Sequence, residues 1–290
     1  MMKRLFVLPA LALLPACQPA EPSTDGGPGR IAFVSDRNGF GDIYTIDASG
    51  RNLRQLTTHL GTDHWPTWSP DTTKIAFMSD RETGIFQIYV VNSDGSGLDT
   101  LTTDTLPNIM PDWSPDGTKI AFSSKRDGNY EIYVMDANGA NPRRLTNSVT
   151  DDAQPAWSPD GTKLAFVSER DGNAEIYVMN AADGLGLTNL TMNVAADLAP
   201  RWSPDSSKIA FQSDRQTDVA VWIMNADGTQ PMRLTNPAVP AGAPSWSPDG
   251  TRIAYDSQGD LWVMNVDGSR KIRILGGIAA DVFPRWRPIP

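Results

Sequence analysis

The 290-residue chain has one cysteine and two histidines. A single Cys cannot form an internal disulfide. His59 and His64 have no repeated partner, no His-x-x-x-His pair and no cysteine cluster beside them, so zinc chemistry lacks a ligand set. A Gly-x-Ser-x-Gly elbow is missing, so nucleophilic hydrolysis has little support. Basic residues are in deficit, with 25 Lys and Arg against 34 Asp and Glu and a net charge of −9. Such a surface repels phosphate backbones and argues against nucleic-acid binding. Long apolar runs are missing too. The run Leu5 to Leu14 has ten residues, half of the about 20 that span a bilayer.

What that run fits is the core of a signal peptide, behind the basic pair Lys3 and Arg4. Leu14-Pro15-Ala16-Cys17 then resembles the bacterial lipobox, in which the Cys is acylated after cleavage before it. Leu and Ala fit that pattern; Pro15 departs from it. The alternative is an ordinary signal peptide with an incidental Cys. Gln18 after the Cys points, by analogy with lipoprotein sorting in Gram-negative bacteria, to the outer membrane. The expected organisation is a signal peptide at 1–16, a lipidated Cys and flexible tether at 17–28, rich in Pro, Gly and acidic residues, and one domain at 29–290. The membrane would be met only through the lipid.

The domain is repetitive. Trp-Ser-Pro-Asp begins at Trp68, Trp113, Trp157, Trp202 and Trp246, at spacings of 45, 44, 45 and 44, with a worn copy at Trp286. Ile/Leu-Ala-Phe/Tyr begins at Ile31, Ile75, Ile120, Leu164, Ile209 and Ile253. An aliphatic–aromatic pair follows at Ile43, Ile88, Ile132, Ile176, Val221 and Leu261, then Leu-Thr at Leu56, Leu101, Leu145, Leu190 and Leu234, with Leu275-Gly276 as the last. Each repeat thus offers four short strands: in the third, a at Pro155–Trp157, b at Lys163–Ser168, c at Glu175–Asn180 and d at Leu187–Thr191. Strands b and c are apolar on consecutive residues, as strands buried on both faces are. Four strands per 44 residues is one propeller blade. The ordered chain starts at strand b and finishes at strand a. The expected fold is therefore all-β, a six-bladed β-propeller closed by pairing of the C-terminal strand with the N-terminal repeat. Thr72 and Ser206 replace the turn glycines Gly117, Gly161 and Gly250, so those two turns are expected to be built differently.

Pro-x-Trp-Ser-Pro-Asp-Gly-x-Lys-Ile-Ala-Phe, then Ser-x-Arg-x-Gly-x-x-x-Ile-Tyr-Val-Met-Asn/Asp, then Arg-x-Leu-Thr, resembles the WD40-like (PD40) propeller repeat of the TolB family over residues 29 to 290. The resemblance implies the propeller fold, a periplasmic setting and a habit of protein binding. It does not imply membership of a Tol–Pal system, because the additional α/β domain of TolB proper has no counterpart here.

Residues repeated in every blade read as scaffold, including the Ser-x-Arg arginines, expected in ion pairs between strands or blades. Function should lie where blades differ. Five residues before each strand-a Trp stand Asp63, Asn108, Asp152, Asp197, Ala241 and Asp281. The quasi-symmetry is expected to gather the acids into a negative funnel at the channel mouth. Such a funnel would receive a basic group or a Ca²⁺-like cation through oxygen ligands; the plainer reading is solvated aspartates capping turns. Beside them, His64, Trp65, Ile109, Met110, Leu198, Val282 and Phe283 are either a binding hot spot or a channel plug. The reading is a monomeric, non-enzymatic envelope protein without an obligatory cofactor, binding a protein or peptide through this face. The alternative is a propeller enzyme cleaving extracellular glycans with two of the funnel carboxylates.

Overall fold

The computed structural model describes residues 29–289 except 217 and 237. The signal peptide, Cys17 and the tether lie outside the described residues. The chain forms six four-stranded antiparallel sheets, with no helix among the described residues.

The six inner strands a are Asp281–Trp286 in blade 1, Asp63–Trp68 in blade 2, Asn108–Trp113 in blade 3, Asp152–Trp157 in blade 4, Asp197–Trp202 in blade 5 and Gly242–Trp246 in blade 6. Strands b and c follow outward, and a short strand d ends each sheet. In blade 4, strands b and c are Lys163–Ser168 and Glu175–Asn180, as expected. Strand a is longer than expected and strand d shorter, Thr188–Asn189. The Leu-Thr motif explains the short outer strand. Its Thr hydroxyl accepts the strand-c N–H that a longer strand d would have paired, as Thr146 does from Ile132 at 2.9 Å. In blade 6 the structural counterpart of the repeated Leu is Ile274 rather than Leu275, because a bulge in that outer strand shifts the register by one.

Ring closure is as the sequence implies. Ile31 pairs with Trp286 and Ser35 with Asp281, so blade 1 is built from both ends of the domain. There is no single core. Six apolar clusters lie at the six blade–blade interfaces, each combining strands of neighbouring sheets. The strand-b alanines Ala32, Ala76, Ala121, Ala165, Ala210 and Ala254 are fully buried. Their small side chains let adjacent sheets approach, while Phe33, Phe77, Phe122, Phe166 and Phe211 fill the space opposite.

The turns at Thr72 and Ser206 are not built differently. Both residues adopt the left-handed conformation, with φ of 63° and 60°, beside 70° at Gly117. Each closes the same turn, Thr72 N–H to Ser69 C=O and Ser206 N–H to Ser203 C=O, both at 2.9 Å. The flanking Ser-Pro-Asp network holds them there against the cost of a Cβ.

Candidate functional site: the two mouths of the channel

The inner strands share one irregularity. Counted from Asp63 and its equivalents, with Ala241 as the first position in blade 6, the ladder to strand b skips between the second and fifth residues. The third residue has positive φ in all six blades: Trp65, Met110, Gln154, Ala199, Ala243 and Phe283. A proline follows each, and it has no N–H for the ladder. The bulge turns the third residue's N–H toward the preceding blade, as when Gln154 N–H reaches Ser123 Oγ at 3.1 Å and Phe283 N–H reaches Asp256 Oδ2 at 3.0 Å.

One mouth is framed by the connections from strand d to strand a, and here the expected negative funnel is corrected. Asp63, Asn108, Asp152, Asp197 and Asp281 are all buried. Each is covered by the Ser-x-Arg arginine of its own blade: Arg81 on Asp63 at 2.7 Å, Arg170 on Asp152 at 2.7 Å, Arg215 on Asp197 at 2.8 Å and Arg37 on Asp281 at 2.6 Å. Arg126 bonds Asn108 at 3.2 Å and takes its charge partner from Asp104 at 2.9 Å. The guanidiniums also lie over the aromatic rings of strands b and c, Arg126 at 4.7 Å from the Tyr133 ring centre. Blade 6 lacks both partners, with Ala241 for the acid and Gly259 for the arginine. The acids are therefore intra-blade struts. Burial pushes the Asp152 carboxyl above its ordinary range, against the pull of Ser168 and Arg170. Among the described residues no group of three or more His, Cys, Asp or Glu is placed to hold a metal ion.

The unrepeated residues beside this ring form a plug. Trp65 is buried and packs on Phe283 with ring centres 4.8 Å apart. His64 stands edge-on to Phe283 at 5.7 Å and to Phe86 at 6.4 Å, and burial pushes its pKa below the usual value. Ile109 is buried as well, while Met110, Leu198 and Val282 are half-buried. Beneath Trp65 and Phe283, a void of about 10 Å³ remains, room for about one water.

Sequence reasoning missed two features. Five of the six d-to-a connections expose a large aliphatic side chain: Leu60, Leu106, Val149, Val194 and Ile278. Leu60 is 78% exposed, Val149 97% and Val194 100%. Together they crown the plugged mouth. Their signal was an aliphatic residue seven or eight positions before the Trp of the following strand a.

The second feature is at the other mouth, formed by the Trp-Ser-Pro turns. It opens into a cavity of about 390 Å³, walled by strand-a tryptophans and turn prolines. Its floor is the fifth residue of strand a: Thr67, Asp112, Ala156, Arg201, Ser245 and Arg285. Arg285 reaches across the channel to the Asp112 carboxylate, which also accepts Trp157 N–H at 2.8 Å and the Thr67 hydroxyl at 3.2 Å. Burial pushes the Asp112 carboxyl up, and Arg285 is the strongest pull against it. The signal was the residue just before each repeated Trp, hidden because it adjoins a conspicuous motif.

The sequence profile described as PD40, TolB beta propeller domain, matches residues 18–111, 105–192 and 155–241. The chain belongs to the TolB β-propeller family. TolB from Acinetobacter baumannii is similar in structure, at 26% identity and a TM-score of 0.78, over 90% of this chain and 67% of that one. A putative TolB from Agrobacterium tumefaciens is similar at 23% identity and a TM-score of 0.71, over 91% of this chain and 100% of that one. An oligogalacturonate lyase from Vibrio parahaemolyticus shares the fold at 16% identity and a TM-score of 0.58, over 83% and 73% of the two chains. No curated protein matches by sequence. Among the described residues of this TolB-like propeller, no helix is long and apolar enough to cross a membrane.

Proposed function

We propose that this TolB-like propeller is a non-enzymatic binding protein of the cell envelope, engaging a protein partner through the face that carries the d-to-a connections. The observation that supports this best is the crown of Leu60, Leu106, Val149, Val194 and Ile278 around a plugged channel mouth. Exposed aliphatics on one rim, over a rigid ring, form the apolar centre from which a protein interface gains affinity. Asp63, Asn108, Asp152, Asp197 and Asp281 act beneath it by holding the connections in place through their arginines, and His64, Trp65, Met110 and Phe283 floor the face. The same ion pairing speaks against glycan cleavage by these carboxylates, since a general acid or base needs a proton path to substrate.

The envelope setting rests on the signal-like Leu5 to Leu14 run and on Cys17, together with the TolB likeness. Capture from envelope extract tests the face, using wild type and a variant with Leu60, Val149, Val194 and Ile278 changed to Ser. The expected result is loss of a specific partner at unchanged thermal stability; a variant that retains every partner refutes the face. Metabolic labelling with palmitate, lost in Cys17→Ser, tests the anchor.

A further inference from the structure

The floor of the 390 Å³ cavity is unbalanced in charge. Its charged residues occupy alternate blades, Asp112 in blade 3, Arg201 in blade 5 and Arg285 in blade 1, with Thr67, Ala156 and Ser245 between them. One carboxylate serves two guanidiniums. Arg285 takes it, crossing past Thr67 to Asp112. Arg201 is left over. It donates one hydrogen bond, to its neighbour's carbonyl, Pro200 O, at 2.9 Å, and lies 5.6 Å from the Trp65 ring centre. Among the described residues it has no ion pair.

This differs from the Ser-x-Arg arginines at the other mouth. Arg37, Arg81, Arg126, Arg170 and Arg215 each close on a side-chain carboxylate or amide. At the mouth of the same cavity, Arg287 bonds Thr72 Oγ1 at 2.7 Å. A guanidinium offers five donors in a planar fork that matches an oxyanion two bonds at a time. Next to it, Ala156 and Ser245 leave room that a longer side chain would fill. The walls are indole and pyrrolidine, and Trp157 and Trp202 keep part of their surface open to the cavity. The volume lies within the range of about 300–1,000 Å³ typical of small-molecule pockets. The turn aspartates on this face, among them Asp160 and Asp205, are held by their own Ser and Thr neighbours. In a chain of net charge −9, the floor of this cavity is locally positive.

We infer that the Trp-Ser-Pro mouth is a second binding site, for a small oxyanionic ligand whose carboxylate or phosphate docks on Arg201 while an apolar body lies against the tryptophans. It is on the opposite face from the apolar crown and stands independently of the partner proposed there. Asp112 and Arg285 position the site by cancelling each other, so that the free charge is that of Arg201.

The tryptophan walls supply the readout. The full chain is titrated with phenylacetate, its neutral analogue phenylacetamide and inorganic phosphate, following intrinsic fluorescence and melting temperature. The site requires an anion to bind at least about tenfold tighter than phenylacetamide, as expected for a charge-assisted contact. Tighter phenylacetate assigns a carboxylate ligand, and tighter phosphate a phosphate ligand. Arg201→Gln should erase the preference and the melting shift, while Arg143→Gln on the outer rim should leave both. Equal affinity for anion and amide overturns the inference. So does a preference that survives Arg201→Gln, or no binding by either anion up to about 50 mM.

Discussion

One guanidinium nitrogen of Arg81 bonds both carboxylate oxygens of Asp63, at 2.8 and 2.7 Å, and Asp63 is wholly buried. The pair ties the turn after strand b to the start of strand a in blade 2. Arg81→Met removes the charge and keeps most of the packing on Phe77 and Tyr89. An uncompensated buried carboxylate costs about 3–5 kcal/mol. Urea unfolding should show a loss of that size. Adding Asp63→Asn should restore most of it, because blade 6 lacks both charges and folds alike. A double variant as unstable as the sum of the singles would remove the strut reading.

Asp256 has no such arginine. It accepts Phe283 N–H at 3.0 Å, and burial pushes its carboxyl up from 3.8 to about 6. A raised carboxyl pKa favours the protonated native state. Below pH about 4 both folded and unfolded forms are protonated, and its contribution is fully present. Between pH about 4 and 6 the unfolded chain loses its proton first, so stability falls by up to about 3 kcal/mol, then stays level. Asp256→Asn keeps an acceptor for Phe283 and cannot ionise. Its advantage over wild type in chemical denaturation should be near zero at pH 4 and largest at pH 7. The same advantage at both values would rule out titration of Asp256.

Gly139, with φ of 86°, sits where an added Cβ would lie 2.6 Å from the Leu101 carbonyl oxygen of the preceding blade. Gly84, with φ of 74°, has nothing within 4 Å. Gly84→Ala should cost about 1 kcal/mol, the left-handed penalty alone. Gly139→Ala must also push two blades apart and should cost several times more. Thermal melts of the two variants compare strain with blade contact directly, and equal losses would mean that the close approach carries no energy.

Ser206 holds a left-handed turn that other blades give to glycine. Ser206→Gly relieves that strain and should raise stability by about 0.5–1 kcal/mol, offset in part by unfolded-state entropy. Thr72→Gly should gain less, since it also removes the hydroxyl that Arg287 bonds at 2.7 Å. A larger gain at Thr72 would show that this hydrogen bond contributes little.

The ring was legible because its geometry repeats. Trp68 to Trp246 mark one position in successive blades, and burial on both faces left strands b and c apolar throughout. The site was less legible because charge state depends on partners. Asp63 reads as an open acid near the axis and Asp112 is overlooked beside Trp113, yet each is covered by an arginine, 18 residues away in one case and 173 in the other. Periodicity says nothing of which arginine covers them. The crown was hidden for another reason. Val149 and Ile278 stand eight residues before the Trp of their repeat, as Leu60 and Val194 do, but they lie in polar connections without a shared motif, and only the positions of the loop ends show that they share a rim.

Ile31 pairs with Trp286, and both Arg30 and Trp286 stand at the Trp-Ser-Pro side of the ring. Whatever is joined before Gly29 therefore leaves from the face that holds Arg201. Were the chain anchored through Cys17, it would be held like a cup by its rim, with the Arg201 cavity on the tethered side and Leu60, Val149, Val194 and Ile278 on the far side.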